Sequence, residues 1–333
     1  MTNLEAVATE RVCTPGAGAD AGGGDLPPGF ELLEPRDVPL GGIRAMSVRR
    51  TLPQRARSFV GAWCFLDHYG PDDVAATGGM RVPPHPHTGL QTVSWLFSGE
   101  IEHRDSLGTH CLVRPGEMNL MTAGRGISHS EDSTDATTVL HGVQLWTVLP
   151  EADRGAPPAF EHHVPPVVPL DGGEARVFLG TLAGSTSPVR TFSPLVGAEV
   201  RLRPGAAHTF AVDPAFEHAV LVDAGALAVD GVAAPAHHLL YREPGATTLT
   251  LAATRDAEAR VLLIGGLPLG EQIVMWWNFI GRDHDEVVAA RARWQAEIAD
   301  PTAPAPGFGR VHGHPAAPLP APPMPELRLR PRA

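Results

Sequence analysis

The sequence predicts an all-β protein made of two tandem β-domains, and three observations carry that expectation. Short runs rich in Val, Leu, Thr and Trp recur about every ten residues between turn signals, the rhythm of a β-sandwich or barrel. The turn signals are Ser98-Gly99, Pro115-Gly116, Gly124 to Gly126, Pro204-Gly205, Asp230-Gly231 and Pro244-Gly245. The two halves echo each other: a Pro-Gly turn entering a strand occurs at 115 and returns at 204 and 244, and the strand-turn-strand of 93–103 recurs at 218–231. Helical spacing is convincing in one segment only, residues 284–299.

The elements follow in order. Residues 1–30 form an arm whose stretch PGAGADAGGGDLPPGF (15–30) is mostly Gly, Ala and Pro, buries little, and is expected to be disordered. Residues 31–155 make the first domain. Between Pro150 and Pro169 the Pro and Gly density rises and periodicity disappears, which marks the seam. Residues 165–282 make the second domain. In HDEVVAARARWQAEIA, Val287, Ala290, Trp294 and Ile298 share a helical face and Asp283 or Asp285 can cap it, so residues 283–300 close the fold with a helix. Residues 301–333 form a Pro-rich tail: Pro301, Pro304, Pro306 and APLPAPPMP permit neither helix nor ladder and leave it extended over the surface.

Bulk properties narrow the partners. A chain of 333 residues at 43% hydrophobic is long enough for two ordinary cores. Its 26 basic and 37 acidic side chains give a formal charge of −11, which repels phosphate backbones and anionic lipid. Neither nucleic acid nor a membrane is therefore expected as partner, and a small ligand fits better. Every basic residue is Arg, and with the abundance of Ala, Gly and Pro this reflects a GC-rich, bacterial genome. Cys13, Cys64 and Cys111 fit neither a paired framework nor a two-Cys zinc clip and point to a reducing compartment. No apolar run reaches the roughly 18 residues of a membrane span, and no basic-then-apolar leader opens the sequence, so a cytoplasmic protein is expected.

Chemistry concentrates in two short segments. His85 and His87 stand two apart before LQTVSWLF, and on a strand positions i and i+2 project from one face. His129 and Glu131 repeat the device in ISHSE. If these strands face each other across a barrel, three imidazoles and a carboxylate converge, a donor set suited to iron(II), manganese, nickel, copper or zinc rather than calcium. Four protein ligands leave an octahedral ion two open positions for a chelating substrate or dioxygen. With 16 histidines in the chain some such pairs arise by chance. Gly79 six positions before His85, and turn glycines around both pairs, fit strands bent tightly around a small barrel. The second half has His208, His218, His237 and His238 but no matching pattern, and is expected to hold no metal.

The segments FLDHYGP (65–71), HPHTGLQTV (85–93), GEIEHRDSLG (99–108), MTAGRGISHSE (121–131) and LHGVQLWTVLP (140–150) resemble successive signature stretches of the pirin family. The similarity continues through GGLPLGE (265–271) and WNFIGR (277–282). The resemblance implies two tandem cupin barrels of the jelly-roll type, with metal in the first only. It places the family's iron ligands on His85, His87, His129 and Glu131, which makes Fe(II) the expected ion, with Ni, Mn, Cu or Zn as substitutes. Relatives usually carry Glu where this chain has Gln91, which on an unbroken strand shares the face of His85 and His87 and would lie near the metal as a neutral hydrogen-bonding group.

The resemblance also implies a function. Some pirins resemble quercetinases, so the expected activity is a dioxygenase that takes dioxygen and a small oxygenated aromatic substrate of the flavonol, quercetin-like kind. Glu131 would then also take the substrate's 3-hydroxyl proton as general base. The alternative is a non-enzymatic iron or redox sensor that regulates a protein partner, and a third is an isomerase on a small oxygenated metabolite. Other candidates have plainer readings beside functional ones. His103 and Asp105 could stand at the cavity rim or serve a turn network. Asp67 and His68 suit a buried structural corner. Gln144 and Trp146 could line the pocket or fill the core. Trp276 and Trp277 suit packing, and Arg125 suits either an anionic substrate or plain surface.

Overall fold

The computed structural model describes residues 26–40, 46–300, 302, 304 and 307–332. The expected arm of residues 1–30 lies outside them up to residue 25. Two β-barrels make up the molecule, each closed by a seven-stranded and a four-stranded antiparallel sheet. In the first barrel the large sheet runs, edge to edge, Ala159–His163, Met118–Thr122, Leu90–Ser98, Val139–Val148, Trp63–Asp73, Met46–Leu52 and Arg36–Leu40. The small sheet runs Arg81–His87, Ile127–Ser133, Ile101–Asp105 and His110–Val113. The second barrel repeats this order with Phe30–Leu33, Leu239–Arg242, Glu217–Ala224, Ala259–Gly266, Leu195–Leu202, Gly173–Leu179 and Val167–Leu170 against Ala207–Ala211, Thr248–Ala253, Leu227–Val229 and Val232–Ala234.

Strand alternation assigns each large sheet two jobs. Along Leu90–Ser98, Val93, Trp95 and Phe97 join Trp63, Val143 and Leu145 in one apolar cluster with Phe178, Leu195, Ala219, Leu221 and Ile264 of the second barrel. The two large sheets thus pack face to face. Two indole N–H groups that this packing would strand are satisfied across it, Trp63 Nε1 by the Gly265 carbonyl at 3.0 Å and Trp95 Nε1 by Glu199 at 2.8 Å. The opposite faces line the barrel interiors. In the second barrel the small sheet turns apolar side chains inward: Phe210 on Ala207–Ala211, and Leu249 and Leu251 on its partner strand, occupy the sheet that carries histidines in the first.

A polar cluster locks the barrels at the edge of this interface. Nε2 of His68 and Nε2 of His141, both on the first barrel, lie 2.7 and 2.6 Å from one oxygen of Asp223 on the second. Arg260 binds the other Asp223 oxygen and lies 3.3 Å from His141 Nδ1, while Arg49 lies 3.4 Å from His68 Nδ1. Arginine can only donate, so both Nδ1 atoms are acceptors and both Nε2 atoms carry the protons that Asp223 accepts. These three residues are close enough to hold a metal ion, yet their tautomers turn hydrogens, not lone pairs, toward the shared centre.

The domain limits read from sequence need correction at three points. Phe30–Leu33 pairs with Leu239–Arg242, so residues 31–33 belong to the second barrel although they precede the first. The seam, read as lacking periodicity, contains Ala159–His163 on the edge of the first barrel and Val167–Leu170 on the edge of the second. Pro and Gly there delimit short edge strands, where a missing N–H is tolerated. The hairpin Val274–Trp276 and Phe279–Gly281, assigned to the second domain, caps the first: Ile280 N donates to Thr88 O, and Ile273 and Ile280 pack with Phe65, Leu90 and Trp146.

The helix His284–Ala299 begins at Asp283, whose carboxylate accepts from Glu286 N, and buries Val287, Ala290 and Trp294 against this hairpin. The tail then runs back over the first barrel. Phe308 is buried beside Trp294 and Phe279, Leu319 N donates to Pro84 O, and His314 pairs with Asp132 at 2.8 Å.

Candidate metal centre

The strand Arg81–His87 reads RVPPHPH, and its prolines leave few N–H groups to pair, as suits the edge strand it is. It pairs with Ile127–Ser133 so that His85 stands opposite His129 and His87 opposite Ile127. His85, His87 and His129 therefore face into the barrel together, with ring centroids 4.3 to 5.0 Å apart. One nitrogen from each lies within 4.8 Å of the others. All three are fully buried, and their Nε2 atoms have no hydrogen-bond partner. Three enclosed lone pairs aimed at one another are costly unless a cation fills the space between them, so the side chains fit a metal ion.

Hydrogen bonds orient two of the three rings for that task, while both His87 nitrogens are enclosed without one. His85 Nδ1 donates to the Pro83 carbonyl at 2.9 Å, and the Asn278 carbonyl faces the His87 ring. His129 Nδ1 lies 3.4 Å from His103 Nδ1, and His103 Nε2 lies 3.4 Å from Asp105 Oδ2. Asp105 accepts from Leu107 N and Thr109 N through its other oxygen, which anchors the turn as well. Read from Asp105 outward, His103 carries its proton on Nε2, His129 donates from Nδ1, and His129 Nε2 is left as the lone pair in the cavity. Burial pushes His85 down to about 3 and holds His87 and His129 well below the usual histidine value, so all three are neutral imidazoles at neutral pH, the form that can hold a metal ion.

Glu131 is placed differently from the three imidazoles. It sits beyond a bulge that shifts the pairing between His129 and Glu131, and its carboxylate groups with His103 and His129. Ser94 Oγ donates to Glu131 at 3.1 Å and lies 2.9 Å from the Gln144 amide. A hydroxyl has one hydrogen, so with that hydrogen on Glu131 the Gln144 amide turns its NH2 toward Ser94, and the other polar atom of the amide is left buried without a partner. Trp146 stacks on Phe65 at 4.0 Å and sets its edge against His87.

Gln91 is not where an unbroken strand would put it. Gly89, at φ +73°, breaks the strand between His87 and Leu90, and a Cβ there would lie 2.5 Å from Ile280 O. After the break Gln91 faces the interface between the barrels, donating to Thr122 Oγ1 at 2.9 Å and to the Arg190 carbonyl at 3.2 Å. His103 and Asp105 are both buried and do double duty, orienting His129 and holding a turn. Asp67 forms a buried two-point pair with Arg50, and His68 belongs to the interbarrel lock. Trp277 packs under the helix, and Arg125 is exposed. Ser94 was missed: nothing in SWLF distinguishes a serine on the cavity face until the break at Gly89 sets the phase.

Residues 44–147 match the pirin family and residues 197–298 match the pirin C-terminal cupin domain. A Pseudomonas aeruginosa protein named as a candidate quercetin 2,3-dioxygenase is 41% identical over 299 residues, 89% of this chain and 91% of its own. The chain belongs to the pirin family. A pirin-like protein of Caulobacter vibrioides is 38% identical over 75% of this chain and 88% of its own. The crystal structure of a quercetin 2,3-dioxygenase from Acinetobacter baumannii superposes with a TM-score of 0.82 at 37% identity, over 90% of this chain and 97% of that one. This pirin is thus a bicupin, its two barrels joined and capped as described. Among its described residues no helix is long and apolar enough to cross a membrane.

Proposed function

We propose that this pirin is a metal-dependent dioxygenase of flavonol-type substrates, with His85, His87, His129 and Glu131 holding one divalent transition metal, Fe(II) foremost. The convergence of three buried, unpartnered Nε2 atoms carries this reading, and the likeness to quercetin 2,3-dioxygenases supplies the substrate class. When bound, the ion supplies a Lewis acid and an electron relay between an organic substrate and dioxygen. The protein's own groups do the rest. Glu131 takes the proton of the substrate's 3-hydroxyl on its carboxylate, while Ser94, backed by Gln144, fixes that carboxylate in place. Phe65, Trp146, Met121 and Ile273 pack as a dry apolar wall beside the imidazoles and exclude bulk water from the centre.

The test is metal analysis of anaerobically purified protein, then dioxygen uptake with quercetin, comparing the native chain with His129→Ala. Stoichiometric metal, uptake, and loss of both in the variant are expected. Metal without uptake on any flavonol or catechol would overturn the enzyme reading in favour of a sensor that acts through a protein partner, and protein without metal would overturn the centre itself.

A further inference from the structure

The second barrel is filled with apolar side chains along its length, yet its mouth is hollow. A cavity of about 370 Å³ opens there, walled by Leu182, Leu195, Val196 and Phe216, with Thr181 and Asp213 at its rim. One buried polar side chain lines it, His218 at 2% exposure. Its Nδ1 is enclosed and has no hydrogen-bond partner. An enclosed ring nitrogen without a partner bears its desolvation penalty uncompensated, so such groups in folded proteins usually meet a ligand or an ordered water.

The histidine is seated by design of the strand beside it. His218 stands opposite Gly265 in the sheet, and a Cβ at that glycine would lie 3.0 Å from His218 Cδ2. The same Cβ would lie 2.6 Å from the Glu217 carbonyl, so the backbone itself requires glycine at 265, and the imidazole gains room beside it. Burial pushes the ring down to about 4, against the pull of the Asp213 and Asp230 carboxylates, so it is neutral at physiological pH. A neutral imidazole does not attract an anion, and the Asp213 carboxylate at the rim repels one.

We propose that this mouth is a second small-molecule site, separate from the metal centre, which takes an uncharged hydroxylated aromatic ring of phenol size. A hydroxyl both donates and accepts, so it pairs with His218 in either tautomer, while the ring lies against Phe216, Leu195 and Val196. The volume falls at the lower end of ligand pockets, enough for one or two rings and too small for a peptide.

Histidine ring signals of full-length, ¹⁵N-histidine-labelled protein, titrated with phenol, test the site. A saturable shift of the His218 signals with Kd on the order of 1 mM is expected, and ligand-observed NMR of phenol, which does not depend on the ring, should show binding weakened at least about 10-fold in His218→Phe. Thr181→Trp, at an exposed rim position that leaves the core untouched, should block the mouth and abolish the shift. In His129→Ala the phenol response should persist, which separates this site from the metal centre. The proposal falls if no saturable shift occurs up to about 10 mM, or if neither variant at the mouth weakens binding. Benzoate binding as tightly as phenol would overturn the assignment of an uncharged ligand.

Discussion

His103→Phe should cost this pirin its hold on metal before it costs its fold. The ring is replaced by one of similar shape, but His129 loses the acceptor that orients its Nδ1–H, and outer partners of metal-bound histidines are worth about 10–100-fold in affinity. Competition of the loaded protein with a chelator measures this directly, and Asp105→Asn, which alters the same chain one step further out, should give a smaller loss of the same kind. Gln91→Glu makes the opposite case. Because Gln91 donates to the Arg190 carbonyl at the barrel interface, a carboxylate there faces an acceptor and should lower unfolding stability by about 1–3 kcal/mol with metal stoichiometry unchanged. At this scale the sequence was legible where chemistry is written in a short period. His85, His87 and His129 are a strand pattern, and they converge. Gln91 belongs to the same pattern on paper, and a single left-handed glycine reverses its face. Asp223 could not be found from sequence at all, since its partners His68 and His141 lie 155 and 82 residues away and only the packing of two sheets brings them together.

The helix was the most readable element, because a capping Asp and an apolar face at helical spacing coincide with one buried stripe. The edge strands were the least readable, since Ala159–His163 and Val167–Leu170 are short, half exposed and punctuated by proline, and so look like linker. The tail lay between. Its described residues form no helix and a single bridge, Arg332 with Ile273, and its prolines hide how firmly it is fastened, with Phe308 at 1% exposure inside a cluster of Trp294, Phe279 and Trp277. Phe308→Ala should therefore destabilise the protein by about 3–5 kcal/mol in urea unfolding, a core-sized loss from a segment that composition alone would class as surface.

For the molecule as a whole, the interbarrel lock makes stability depend on pH. His68 is held down to about 4, chiefly by burial and further by Arg49, whereas in the unfolded chain it titrates near its ordinary 6.5. Between these values the unfolded state binds the extra proton, so acidification favours unfolding: the contribution is intact above about pH 6.5 and is lost as pH falls toward 4. Asp223 does not reverse this. Burial would raise it, but the hydrogen bonds from His141 and His68 hold it well below the carboxylate range, so its own stabilising effect fades only in stronger acid. Urea midpoints measured from pH 7 to pH 4.5 should fall steadily, and the slope should flatten in His68→Gln, which keeps a side-chain N–H for Asp223 but does not titrate.

Residues 30–33 complete the second barrel, while residues 273–281 and the tail complete the first. Neither barrel is therefore a contiguous stretch of coding sequence. A single crossover in the gene cannot trade one barrel for another, and a fragment spanning residues 46–163 would leave its cap and tail behind. The pair is inherited as one unit, and each barrel can vary only within what the other's borrowed strands and straps allow.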